Sequence, residues 1–100
     1  MVGELERHRD EIAELCRRYK VVRLEVFGSA ATGSTFNAES DIDFLYELED
    51  GPGKLDRFLD LKDGLEELLG RTVDLVHGPS IDNPYFRRSV DESRQLVYAA

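Results

Sequence analysis

Residues 41–48 read Asp-Ile-Asp-Phe-Leu-Tyr-Glu-Leu, which places Ile42, Phe44, Tyr46 and Leu48 on one face and Asp41, Asp43, Leu45 and Glu47 on the other. That two-residue period is the signature of a β-strand with unlike faces. The apolar face must be buried against something, so a sheet covered by helices is the expected architecture. The other face carries two aspartates. Aspartate is depleted in strands, and a buried carboxylate without partners costs several kcal/mol or loses its charge.

The flanking segments supply the cover. Leu5, His8, Ile12, Leu15, Cys16 and Tyr19 recur at three- and four-residue steps and predict one amphipathic helix. Residues 21–27 are β-branched and apolar, end on Gly28 and predict a buried strand. Residues 28–33 are Gly, Ser, Ala and Thr, a turn or helical start, and 34–40 read as a polar loop containing Phe36. After the turn at 49–53, Leu55, Phe58, Leu59, Leu61, Leu65, Leu68 and Leu69 predict a second long helix stopped by Gly70. Residues 72–76 predict a third strand. Asn83-Pro84, an N-cap followed by proline at the first helical position, opens a last helix that the pattern carries to about Gln95. The expected order is helix, strand, strand, helix, strand, helix, a small α/β (α+β) sheet flanked by helices. One domain over residues 1–100 is expected.

Charge narrows the function. With 21 acidic and 13 basic side chains the formal net charge is −8, and such a surface repels nucleic-acid phosphate and anionic lipid. General nucleic-acid binding and membrane attachment are not expected. Cys16 is the lone cysteine, so no intrachain disulfide forms, and no Cys/His spacing resembles a zinc site. No apolar run is long enough to span a bilayer and the first residues lack a signal-peptide core, so a cytoplasmic location is expected. An acidic protein that handles a polyanion needs bound cations or a local basic patch.

Asp41 and Asp43 share a strand face, with carboxylates roughly 6–7 Å apart along the chain. That spacing suits hard cations with oxygen ligands, such as Mg²⁺. Asp74, between Val73 and Leu75, faces opposite to both neighbours and completes a three-carboxylate cup if its strand lies beside the second. Taken alone, the acidic pair reads more readily as a solvated strand face, and Asp74 as a turn cap. The addition is Gly28-Ser29 directly after Val26-Phe27: glycine lets backbone amides approach a ligand, and the serine hydroxyl and helical start offer donors to phosphate.

On these residues the segment VFGSAATGSTFNAESDIDFLYEL resembles the signature of the minimal nucleotidyltransferases, the MntA-like antitoxin family of the DNA polymerase beta-like superfamily: Gly-Ser, a spacer, then Asp-x-Asp. The spacer here is eleven residues, Ala30 to Ser40. RTVDLVHG is similar to the family's third strand with its single Asp, and IDNPYFRRSVDESRQLVYAA to its C-terminal end. The resemblance implies a polymerase beta palm-like fold in which Gly28 and Ser29 hold an NTP, ATP above all, and Asp41, Asp43 and Asp74 are catalytic and bind Mg²⁺, Asp74 serving a second metal or taking a proton from the acceptor. It also implies an antitoxin that AMPylates a tyrosine of a HEPN-domain toxin partner. In a Gly-Ser-x-Ala-Arg-Gly run common in the family this chain has Thr32 at the arginine, which leaves a phosphate grip to Arg71, Arg87 or Arg88.

A module that keeps the fold and neutralises a partner by occlusion alone is the competing reading. The presence together of Gly28, Ser29, Asp41, Asp43 and Asp74 argues for catalysis. His77 and His8 read as ordinary surface and packing residues, Arg87 and Arg88 as solvated, and Tyr85, Phe86 and Tyr98 as core, with Tyr85 and Phe86 the fallback for a nucleobase wall.

Overall fold

The computed structural model describes all hundred residues. Its sheet has four strands: β1 (Val21–Phe27), β2 (Ile42–Leu48), β3 (Val73–His77) and β4 (Gln95–Ala99). They lie in the order β3-β2-β1-β4, with β1 antiparallel to β2 and β4, and β2 parallel to β3. Five helices complete the chain: α1 (Gly3–Arg7), α2 (Arg9–Arg18), α3 (Ser29–Thr32), α4 (Lys54–Leu69) and α5 (Pro84–Ser93). A 3₁₀ turn, Gly78–Ser80, follows β3.

The inner face of the sheet is apolar as its alternation requires. Leu24, Val26, Ile42, Phe44 and Val73 are buried there with Leu5, Ile12 and Cys16 from α1 and α2 and Leu61 and Leu65 from α4. The two covering helices approach so closely that a Cβ on Gly64 would stand 3.1 Å from Leu15. Burial pushes the Cys16 thiol up to about 12, so it stays protonated and packs as a small apolar residue.

Three expectations are corrected. The first helix is two helices that meet at His8, whose ring reaches Glu11 at 3.0 Å. The last helix stops at Ser93, with Arg94 extended, and the chain continues as β4, which the expected element order lacked. Its Val97 enters the core and Tyr98 packs half-buried against it, so Tyr98 does contribute to packing. The third concerns the start of α5. Tyr85 is 81% and Phe86 40% exposed, so neither is core. The N-cap itself forms as expected, Asn83 accepting from the amides of Tyr85 and Phe86 at 2.9 and 3.1 Å.

The outer face is only partly open. α5 crosses it, and Val90 closes a small second cluster with Phe27 and Leu45. Leu45, placed by alternation on the aspartate face, is therefore buried too.

Candidate active site

Strand register sets the site. Phe27 pairs with Asp43 across β1 and β2, and Asp43 with Asp74 across β2 and β3. Directly paired residues point the same way, so Phe27, Asp43 and Asp74 form one row across the outer face, at the end of the sheet where β1 finishes and β2 and β3 begin. The next row is Glu25, Leu45 and Val76. Asp41 precedes β2 and is exposed, as is Asp74, while Asp43 is half-buried. The expected trio thus lies together, but only one member is drawn out of water.

Crowding shows in Asp43. Burial first, then the Asp74 charge, a hydrogen bond with Asp74 and the Asp41 charge push its carboxyl up to about 6. A like-charged cluster of this kind is relieved by a cation. No three His, Cys, Asp or Glu side chains close around a single point. The expected three-carboxylate cup is therefore not closed; a cation here would take one or two of the carboxylates and complete its shell with water and phosphate oxygens, as Mg²⁺ does.

Gly28 adjoins the carboxylates. Its φ of 73° and ψ of −149° lie where only glycine rests easily, and a Cβ there would stand 3.1 Å from Oδ2 of Asp43. The space beside Gly28 thus belongs to the Asp43 carboxylate. Its own amide is also committed, donating to Oγ of Ser93 at 2.9 Å. The amides of Ala31 and Thr32 donate to the Gly28 carbonyl at 3.1 and 3.3 Å, which leaves the half-buried Ser29 and the amides of Ser29 and Ala30 as the candidate anion donors at this corner. Thr32, at the family's arginine position, turns its hydroxyl to the amide of Ser34 at 3.2 Å.

Two of the three replacement arginines make other contacts. Arg71 grips both carboxylate oxygens of Glu4 at 2.7 and 2.8 Å, donates to the carbonyls of Asn37 and Ser40, and covers the Phe36 ring at 4.4 Å. It anchors the loop that delivers Asp41 and Asp43. Arg87 donates to the Ile81 carbonyl, and Arg88 is exposed. His77 stacks on Tyr46 and bonds Ser80.

Sequence reasoning missed a buried charge network under the same face. Glu25, 5% exposed, accepts from Arg23 at 2.8 Å and from both ends of the Arg94 guanidinium at 2.7 and 2.9 Å, and Arg94 also meets Asp91. The Arg94 hydrogen bond above all, helped by Arg23 and opposed by burial, holds Glu25 down to about 2. The sequence signal was a glutamate inside a strand read as buried. The largest hollow, about 510 Å³ between α2 and α4, is lined by Glu11, Glu14, Asp60, Asp63 and Glu67 and is too negative for a nucleotide.

Residues 9–97 match the family model of the nucleotidyltransferase domain. The chain belongs to this nucleotidyltransferase family. A relative from Methanocaldococcus jannaschii, assigned as a protein adenylyltransferase, is 39% identical over 94 residues, 94% of this chain and 89% of its own. A solved structure assigned as a minimal nucleotidyltransferase superposes with a TM-score of 0.75 at 36% identity, covering 91% of this nucleotidyltransferase and 90% of that chain. A crystal structure of a toxin-antitoxin with AMP-PNP has a TM-score of 0.69 at 26% identity, covering 92% and 73%. No helix of this nucleotidyltransferase is long and apolar enough to cross a membrane.

Proposed function

We propose that this nucleotidyltransferase moves AMP from ATP, with Mg²⁺, onto a protein hydroxyl, and that the acceptor is a tyrosine of a HEPN-domain toxin for which it is the antitoxin. The observation that carries the chemistry is the pairing of Asp43 with Asp74 beside Gly28 and Ser29. Protein adenylyl transfer is supported by the name of the archaeal relative, and a nucleotide-bound antitoxin by the AMP-PNP complex of the structural neighbour.

Ser29, with its own amide and that of Ala30 at the start of α3, holds the triphosphate. Asp41 and Asp43 would hold Mg²⁺, which would neutralise the phosphates and align them for in-line displacement. Asp74 takes the proton of the acceptor hydroxyl. The acceptor oxygen then forms a bond to the α-phosphorus, the bond from that phosphorus to the bridging oxygen breaks, and pyrophosphate leaves. The Glu25–Arg94 pair and the Ser93–Gly28 bond lock α5 and β4 to the strand that carries Gly28, and so position the site from below.

Intact mass of a HEPN-domain partner, incubated with this chain, ATP and Mg²⁺, tests the reading. The partner should gain one adenylyl group per modified tyrosine and lose toxicity. Neutralisation without any mass gain, for every NTP, would leave occlusion as the function.

A further inference from the structure

We propose that the outward face of α4 is a docking surface for a basic amphipathic helix of a partner protein. The proposal does not rest on the transfer reading, because α4 covers the inner face of the sheet and the carboxylate row lies on the outer one.

α4 buries Leu61, Leu65 and Leu69 and leaves two other leucines in water. Leu55 is 70% and Leu59 47% exposed, and, four residues apart, they lie on one side of the helix. Beside them opens a hollow of about 460 Å³ walled by Tyr46, Leu48, Leu55 and Phe58, with Lys54 and His77 completing its lining. Single exposed leucines are ordinary. Two in line at the mouth of an apolar hollow form a continuous surface.

Charge decides what covers it. Asp56, Asp60, Asp63 and Glu67 follow at steps of four, three and four, which sets them in one exposed stripe alongside the leucines. The cations of α4 are engaged elsewhere: Lys54 with Asp50 at 2.8 Å, Lys62 with Glu66 at 3.1 Å, and Arg57 with the carbonyls of Tyr19 and Glu49. The four carboxylates are left without an ion pair, and like charges at these spacings oppose the helix. A second copy of the chain would set stripe against stripe, and nucleic acid or an anionic bilayer would be repelled as well. A helix with apolar residues at i and i+4 and lysines or arginines along one flank fits both features. Its anchors lie on Leu55 and Leu59 and in the hollow, and its cations over the stripe.

The probe is a helical peptide of about twenty residues with leucines at i and i+4 and lysines on one flank, titrated into the full chain and followed by NMR. Saturable shifts at Leu55, Leu59 and Asp60 are expected, with Ser29 and Asp43 unmoved. Binding should weaken at least about tenfold when Asp60→Lys is combined with Asp63→Lys, and likewise when Leu55→Ser is combined with Leu59→Ser. Asp10→Lys with Glu92→Lys makes the same change of net charge on other exposed helix positions, and should bind within about twofold of wild type. Equal loss in that control pair, or equal binding of a peptide of the same composition in shuffled order, would reduce the effect to bulk charge and overturn the proposal. So would self-association of the chain that Leu55→Ser with Leu59→Ser abolishes, which would make a second copy the occupant.

Discussion

The Cα of Gly28 faces the Asp43 carboxylate so closely that a single added carbon would stand 3.1 Å from Oδ2. The contact couples the glycine after β1 to the aspartate of β2 with no room for a side chain. Gly28→Ala therefore meets two penalties, a backbone conformation at φ 73° and ψ −149° that alanine resists, and displacement of Asp43. A loss of about 1–3 kcal/mol of stability is expected in urea unfolding, together with loss of Mg²⁺-dependent nucleotide binding. Unchanged stability and binding would mean that the corner relaxes freely.

Asp43 should show its crowding as a pH effect. Its folded pKa, about 6, lies above the ordinary 3.8, so the native state holds the extra proton between those values. Stability of the metal-free protein from this group is greatest below pH 4 and falls as pH rises through 6. Asp43→Asn should flatten that decline, and should also abolish the thermal stabilisation given by Mg²⁺ with ATP at pH 8. Melting curves from pH 4 to 8, with and without Mg-ATP, read both effects.

Glu25 works in the opposite sense. Its folded pKa of about 2 lies below the ordinary 4.5, so its contribution is full above 4.5 and is lost as pH falls toward 2. Glu25→Gln leaves Arg94 without its bidentate partner. Because both arginines keep some solvent, a loss nearer about 2 kcal/mol than the full cost of breaking a buried pair is expected. Denaturant unfolding at pH 7 and pH 3 should show the deficit shrinking on acidification.

Much of this was legible in sequence because it is local. Alternation placed Asp41 and Asp43, Gly70 stopped α4, and Asn83-Pro84 opened α5. What was not legible depends on residues far apart. Gln95 to Ala99 follow helix α5 with no breaker, and Leu96 is exposed, so no clean alternation separates β4 from a fraying helix; only pairing with β1 makes it a strand. Glu25 and Arg94 are 69 residues apart, and no spacing rule joins them. Tyr85 and Phe86 looked like core because they are aromatic; Phe86 does share the Val90 face of α5 and meets Phe27 edge-on, yet it stays 40% exposed, and Tyr85 is 81% exposed.

Arg71 is one of the three arginines, with Arg87 and Arg88, that the loss at Thr32 left as phosphate ligands by sequence, and its contacts give it a different task. Arg71→Lys cannot reproduce two bonds to Glu4, two to loop carbonyls and the stack on Phe36. Faster proteolysis within residues 34–40 is expected, with weaker Mg²⁺-dependent nucleotide binding as Asp41 loses its fixed approach. Intact loop protection in Arg71→Lys would show that a positive charge paired with Glu4 suffices.

The most direct test compares wild type with Asp74→Asn, which keeps the shape of the side chain and removes its charge. Calorimetric binding of a non-hydrolysable ATP analogue with Mg²⁺ and the rate of adenylyl transfer to the partner are measured on the same two proteins. Binding within a few-fold of wild type, with transfer reduced at least about a hundredfold, is the expected result for loss of a proton acceptor. Transfer by Asp74→Asn at the wild-type rate would contradict the assignment of the row Asp43–Asp74 as the place where the acceptor hydroxyl is activated.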